Sequence, residues 1–272
     1  MRRLSIKMYM SMYLAALLAV GAIVQRQPMR MVMGILIVAL YVAGDCLWTY
    51  AKKKIWYVPT SSVISALIIA LVFDTIGHSH IALLVPLIAV ATKHLLHFGR
   101  IRHLINPAAG ALVVISFFVP VVSWWGVAWG APAQILIALS GLYILYRLRR
   151  FHVVGAFLLT YLVLLVLVSF ARGIDARMLP ALIFGTVRDG TLLFFMTVML
   201  IEPVTTAYPR PRDRIMYGGL VGLLVIGISL VGQYPPLGAM DPLLLALVVG
   251  TMVMGLRVVP KKVALARRER AI

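Results

Sequence analysis

The chain has 272 residues, of which 62% are hydrophobic and 12% are charged, and it carries a formal net charge of +18. Its mean hydropathy of +1.01 excludes an ordinary soluble domain, because no globular surface could accommodate that much apolar area. The single cysteine, Cys46, excludes an intramolecular disulfide and a cysteine-held metal cluster within this chain. Basic residues occur in small groups between apolar runs, so we predict a polytopic membrane protein that contacts lipid and binds no nucleic acid.

Ten apolar segments follow one another along the chain, and roughly 20 helical residues cross a bilayer core of about 30 Å. The first segment follows a basic start, "MRRLSIK", but lacks a convincing signal-peptide cleavage site, so we interpret it as a retained helix. Segments 3, 6 and 8 are short, which is typical of broken or re-entrant helices. The ten segments are 8–24, 29–50, 57–74, 80–97, 105–123, 132–146, 153–171, 187–201, 215–231 and 241–257.

The distribution of basic residues predicts the topology. With the amino terminus in the cytoplasm, 21 of the 26 lysines and arginines fall on the inside. The positive-inside rule predicts this bias for ten helices with both termini cytoplasmic, so we predict a multi-pass protein of the cell (inner) membrane. The arginines of "YPRPRDR" fix this orientation and contact lipid headgroups, with binding of an anionic group as the alternative.

Two pairs of similar stretches indicate an internal repeat. "INPAAGALVVISF" at 105–117 resembles "MDPLLLALVVGTM" at 240–252, and "SSVISALIIALVFD" at 61–74 resembles "DGTLLFFMTVMLIE" at 189–202. Segments 5 and 3 therefore match segments 10 and 8. Because five helices is an odd number, the second copy crosses the membrane in the opposite sense. We predict an all-α integral membrane protein of two inverted five-helix repeats, with short or broken helices 3 and 8.

The repeat divides one integral membrane domain into residues 1–124 and residues 125–272, the second with a basic cytoplasmic tail. Asp74 and Glu202 end segments 3 and 8, and the pseudo-twofold axis relates them. Pro203 lacks an amide hydrogen, so we expect the eighth helix to end at Glu202. Breaks of this kind line the site near the axis in inverted-repeat proteins.

The starts of segments 3 and 8 are rich in polar side chains. Such side chains can cap the helix, or they can contact a ligand at its amino end, and both interpretations remain open. The polar residues at the two starts are Thr60, Ser61, Ser62, Thr186, Asp189 and Thr191.

Three stretches of the chain resemble membrane subunits of electron-transport complexes. "FFMTVMLIEPVTTAYPRPRDRIMYGG" is similar to their F-F-M-x-T-D-P-V-[ST] motif and the short basic loop after it. "KHLLHFGRIRHLINPAAGALVV" is similar to their segment that ends in H-[IL]-F-N-P-A-A, and "VPTSSVISALIIALVFD" resembles their third helix. The subunits that these stretches resemble form the NqrB/RnfD family, whose members are membrane components of sodium-translocating NADH:quinone reductase and of the Rnf electron-transport complex.

The resemblance implies a subunit that holds flavin, as FMN or riboflavin, and relays electrons for ion translocation. Members attach FMN to a threonine after the N-P-A-A helix, but this chain has "SWWGVAWGAPAQI" there and lacks that threonine. We therefore expect noncovalent flavin. The family's aspartate before Pro-Val is replaced by Glu202. Because the chain has no nucleotide-binding glycine motif, we expect it to work only with other subunits of an oxidoreductase complex.

The resemblance and the polar helix ends together predict the site residues. Asp45 interrupts the apolar run of segment 2, and an intramembrane acid indicates a partner or an ion path because burying its charge is costly. We predict an ion path through Asp45, Asp74 and Glu202, and we assign no catalytic residue and no metal ligand. The residues predicted to bind the cofactor are Ser61, Ser62, Lys93, Arg102, His103, Asn106, Thr191, Glu202, Thr205 and Thr206.

Histidines and tryptophans near the helix ends have several interpretations. Helical spacing would place His94 and His97 near one another, but we do not predict a metal or haem site from them. Trp124, Trp125 and Trp129 are typical of an interfacial aromatic belt, with stacking on a flavin ring as the alternative.

Three functions are compatible with the sequence. The motif stretches favour an electron-transfer subunit that positions flavin and tunes its potential. A small-solute channel or transporter uses the same inverted-repeat architecture, since fold alone does not determine function. A cofactor-free assembly subunit is the third possibility.

Overall fold

The structure, a computed structural model, is almost entirely helical. It describes residues 5–57, 59–98, 102–103, 105–119, 123–126, 130–203, 206, 208, 210–232 and 240–269, without the side chains of 97–98, 102–103 and 258–269. The α-helices are α1 (Ile6–Val24), α2 (Pro28–Lys53), α3 (Thr60–Val72), α4 (Ser79–Ala82), α5 (Leu84–Leu95), α6 (Pro107–Ser116), α7 (Ala131–Leu148), α8 (Phe151–Ala171), α9 (Leu179–Arg188), α10 (Gly190–Phe194), α11 (Pro211–Val231) and α12 (Pro242–Glu269). The shorter elements are a 3₁₀ turn at Ala176–Met178, a π-helical turn at Phe195–Met199, and the antiparallel pair β1 (His97–Phe98) and β2 (Arg102–His103).

Five helices in the described part of the chain are long and apolar enough to cross a membrane, namely α1, α2, α7, α8 and α11. The number is six if residues 176–188 and 190–199, which meet at an angle of 49°, form one bent span. Four further apolar helical stretches of 10–17 residues are too short to cross on their own. These helices indicate a multi-pass membrane protein.

Each of the ten predicted apolar segments contains a helix, and the structure adds α9, which the sequence analysis does not predict. The eighth segment departs from the expected end at Glu202, because regular helix stops at Met199. The Leu200 amide donates to the Phe195 carbonyl five residues back, and the Glu202 amide donates to Met199 three residues back. The α-helical hydrogen-bond register is therefore lost before Pro203 is reached.

Helices α8 and α11 form the most extensive helix pair in the described structure. Gly218 and Gly222 lie one turn apart on α11 and face the backbone of α8. An added Cβ would lie 2.2 Å from the Val153 carbonyl oxygen at Gly218, and 2.8 Å from the Phe157 carbonyl oxygen at Gly222. Small residues at this spacing allow the two backbones to approach closely, which is how many membrane helices associate.

Helices α6 and α12, whose sequences are similar, begin in the same way. The Asn106 side chain accepts from the amides of Ala108 and Ala109 at 2.9 and 3.1 Å. The Asp241 side chain accepts from the amides of Leu243 and Leu244 at 2.8 and 3.2 Å. In both helices a proline follows the cap, where its missing amide hydrogen costs no hydrogen bond.

Candidate functional site

A carboxylate is buried inside the helix bundle. Asp45 lies on α2 and has no solvent exposure. The Lys93 ammonium, from α5, lies 2.7 Å from Asp45 Oδ2, and His94 Nε2 lies 2.6 Å from Oδ1. Helix α2 packs against both α3 and α5, so the carboxylate is held where three helices meet.

Two hydroxyl groups complete the shell around this carboxylate. Ser62, in the first turn of α3, donates to Asp45 Oδ2 at 2.5 Å and accepts from Lys93 Nζ at 2.7 Å. Tyr57, in the connection between α2 and α3, also donates to Oδ2. We call these five residues, Asp45, Tyr57, Ser62, Lys93 and His94, the Asp45 cluster.

The Asp45 carboxylate is paired and hydrogen-bonded within the cluster. A buried carboxylate is tolerated only when it is paired and hydrogen-bonded, and here one ammonium and two hydroxyls face it. Burial, together with the hydrogen bond that Tyr57 donates to Asp45, raises the pKa of the Tyr57 hydroxyl to about 12. Tyr57 therefore remains a hydrogen-bond donor at neutral pH.

Two residues at the edge of the cluster, His94 and Tyr57, are partly exposed to solvent. The His94 side chain retains 20% of its exposure and stacks on Trp48, with ring centroids 5.3 Å apart. Tyr57 is 37% exposed. His94 and Tyr57 thus connect the fully buried Asp45 to the end of the bundle that the predicted topology assigns to the cytoplasm.

The polar start of α3 serves the cluster instead of capping the helix. Pro59 occupies the N-cap position of α3, which has no side-chain capping bond, so the capping interpretation of Thr60, Ser61 and Ser62 is wrong. Ser62 is turned inward because the buried carboxylate on α2 requires donors. Capping does hold at the start of α10, where the Asp189 side chain accepts from the Thr191 amide.

A second polar group lies at the other end of α3. Asp74 Oδ1 is 3.5 Å from Arg30 Nη1, and Asp74 Oδ2 is 3.7 Å from His78 Nδ1. The Arg30 guanidinium stacks on the Trp124 ring at 3.3 Å. Several buried polar atoms here have no hydrogen-bond partner among the described residues: Gln25 Oε1, Arg30 Nη1, Thr75 Oγ1 and His78 Nδ1.

The structure brings together only some of the predicted site residues. Ser62 and Lys93 meet at Asp45, whereas Asp74 lies at the opposite end of α3 and joins Arg30 instead. Glu202 is half-buried, and its carbonyl accepts from Thr206, which is fully buried.

The remaining predicted residues have other surroundings. Ser61 and Thr191 are half-buried, and Asn106 caps α6. Arg102 and His103 form β2, and their side chains lie outside the described part of the structure, as does all of Thr205.

Several contacts are not anticipated by the sequence. Arg150, at the start of α8, is buried and donates to the Thr206 carbonyl, as Arg30 at the start of α2 reaches Asp74. Trp125 donates through Nε1 to Asp241, which joins the loop before α7 to the cap of α12. The charge pattern assigns Arg30 only a position in an outside loop. A basic residue close to an apolar segment is the signal that could have identified both arginines.

The histidine spacing also changes in the structure. Helix α5 ends at Leu95, so His94 is helical while His97 lies in β1, and the helical spacing assumed for this pair does not apply. Within the described residues no group of three His, Cys, Asp or Glu side chains is arranged to hold a metal ion. Comparison of the chain with protein-family models and with curated proteins gives no match.

Proposed function

We propose that this chain is a membrane subunit of an ion-translocating electron-transport complex, similar in role to the NqrB/RnfD subunits. One observation supports this more than any other. Ser62 and Lys93 come from two separate stretches that resemble that family, and in the fold they bind one buried carboxylate, Asp45. A site that joins two such stretches is more specific evidence than either stretch alone.

The Asp45 cluster would provide the ion-binding step. The Lys93 ammonium neutralises Asp45 at rest, so a proton or small cation can reach the carboxylate only as that pair loosens. His94 and Tyr57 at the rim form the route by which a proton or cation reaches solvent. Glu202, at the end of the eighth segment, would extend the same path.

In this proposal the group around Arg30 would hold a noncovalent flavin. Gln25 Oε1 and Thr75 Oγ1 have no hydrogen-bond partner among the described residues, and Arg30 stacks on Trp124, in the stretch where the family carries its flavin. Arg30, Thr75 and His78 would hydrogen-bond the polar edge or the phosphate of the cofactor, and Gln25 Oε1 would accept from it. When bound, the flavin would supply one- and two-electron transfer. Ser62 and Lys93, predicted as cofactor ligands, are instead bound to Asp45.

A small-solute channel or transporter is the second candidate, because the pairing of the helices suits this function equally well. Two helices, α6 and α12, have matching side-chain caps and pack against one another, as α1 packs against α7. Pairs between corresponding helices are what a pseudo-twofold axis through the bundle centre requires, so they support the proposed inverted repeat. Solute permeation through such a centre would use the same helices without a cofactor.

The cofactor and the ion path can be tested separately. The visible absorption spectrum of the gently purified protein should show oxidised flavin that separates from the protein on denaturation. Arg30→Gln should lower flavin content, whereas the double variant Asp45→Asn and Lys93→Met should leave flavin content unchanged and slow ion-coupled electron transfer in the assembled complex. Absence of flavin from the wild-type protein, together with solute flux through proteoliposomes, would favour the channel.

A further inference from the structure

A basic pocket opens at the junction of α7 and α8, against the beginning of α1. Its volume is about 610 Å³. Arg147, Arg149 and His152 supply its basic groups, and Ile6 of α1 borders it. All three basic side chains are exposed, and they lie at the end of the bundle that the predicted topology assigns to the cytoplasm.

The positive charge of this pocket is not compensated within the described structure. Among the described residues, no ion pair involves Arg147, Arg149 or His152. Arg147 contacts the Tyr143 ring, 5.9 Å from its centroid, whereas the neighbouring Arg150 is buried against Thr206. The backbone of Arg149 is left-handed, with φ 52°, and this ends α7 beside the pocket.

An exposed apolar stripe leads from the pocket along α7. Ile135, Leu139, Leu142 and Tyr146 follow at helical spacing, and between 58% and 70% of each residue's surface is accessible. Phe151 on the far side of the pocket is also exposed. A basic pocket at a helix end that continues into an apolar stripe is complementary to a phospholipid, which has a charged headgroup followed by an acyl chain.

We propose that this pocket binds the phosphate headgroup of an anionic phospholipid, whose acyl chain lies along the stripe on α7. Basic pockets between membrane helices on the cytoplasmic side select anionic headgroups. A free phosphate would use the arginines but not the stripe, and a zwitterionic lipid would use the stripe with a weaker charge interaction. The pocket does not depend on the proposed electron-transport function, because none of its residues belongs to the Asp45 cluster.

Lipid titration followed by native mass spectrometry tests the site. Phosphatidylglycerol and phosphatidylcholine with identical acyl chains are added to the detergent-solubilised full chain. Each arginine near a headgroup contributes about fivefold in affinity, so the double variant Arg147→Gln and Arg149→Gln should bind phosphatidylglycerol roughly 25-fold more weakly. The corresponding double lysine variant should keep most of the binding, since it keeps the charge.

Lys53→Gln is the matched control, because Lys53 is an exposed basic residue at the end of α2, on the side that the predicted topology assigns to the cytoplasm. It should bind phosphatidylglycerol as the wild type does. The proposal is overturned if the double glutamine variant binds as tightly as wild type, or if the two lipids bind equally. Displacement of phosphatidylglycerol by equimolar inorganic phosphate would also overturn it, because that result identifies a small-anion site without an acyl-chain contribution.

Discussion

Asp45 shows how a costly residue is made compatible with a membrane bundle. Transfer of an unpaired carboxylate into an apolar interior costs several kcal/mol even after relaxation, roughly as much as the whole stability of many domains. Lys93, Ser62 and Tyr57 offset that cost by binding the same oxygen. The Asp45–Lys93 pair is neutral only when both residues are present. Removal of one of them should therefore destabilise the protein more than removal of both.

Lys93→Met should lower the free energy of unfolding by about 3–5 kcal/mol, because it leaves the Asp45 carboxylate buried without a countercharge. Adding Asp45→Asn to this variant should restore at least half of the loss. Equilibrium unfolding in mixed micelles measures both changes. Lys53→Met, at an exposed position of α2, serves as the control and should be neutral. Additive effects of the two cluster substitutions would contradict the ion pair.

Glu202→Gln tests a second acid by function. The side chain is half-buried where the eighth segment leaves helical structure, so the substitution should keep the shape and remove the charge. On the proposed function, ion-coupled electron transfer by the assembled complex should fall while insertion and folding are unchanged. Arg212→Ala removes one of several inside charges and should have little effect. Wild-type rates for Glu202→Gln would make this acid only an interfacial helix end.

Among the elements, the α8–α11 pair depends on two residues without side chains. Leucine-rich faces alone do not hold helices together in lipid, because the lipid tails are equally apolar. Gly218 and Gly222 let the α11 backbone approach the α8 carbonyls, and this close approach gains dispersion contacts along both helices. The repeated glycines in "YGGLVGLL" are visible in the sequence, but the sequence does not show that they pack against α8.

Gly218→Ala should destabilise the protein by about 1–3 kcal/mol, because its new Cβ would meet a backbone carbonyl that cannot move aside. Gly227→Ala is the matched control on the same helix. No atom lies within 4 Å of its added Cβ, so this variant should be neutral or more stable by about 0.5–1 kcal/mol through lower chain entropy. Equilibrium unfolding in mixed micelles measures the stability of both variants. Equal stabilities of Gly218→Ala and Gly227→Ala would refute close packing at Gly218.

At the scale of the whole molecule, the two polar groups lie at opposite ends of α3. The Asp45 cluster is at its start, and Asp74 with Arg30 is at its end. A helix of 13 residues is about 20 Å long, which is shorter than a bilayer core of about 30 Å, so the two groups lie toward opposite ends of the bundle. On the proposed function, this separation would place one polar group toward each end of the path that the charge follows.

Cysteine accessibility tests the orientation of these ends. In a Cys46→Ser background, a cysteine in the loop 77–79 should react with an impermeant reagent from outside. A cysteine at Pro211 should react only from the cytoplasm, because the positive-inside rule assigns the basic cluster beside it to that side. Both sites labelled from one side would contradict the inverted repeat, and the exchanged pattern would reverse the predicted orientation.

The sequence by itself determined the membrane class and the positions of most of the apolar helices. These features depend on composition, apolar run length and contacts within four residues, all of which are local. It also indicated that Asp45 needs a partner, since an intramembrane charge cannot remain alone. Only the tertiary structure decided which partners it has. Tyr57, Ser62, Lys93 and His94 lie 12 to 49 residues away along the chain, and the packing of α2 against α3 and α5 is what brings them to one carboxylate.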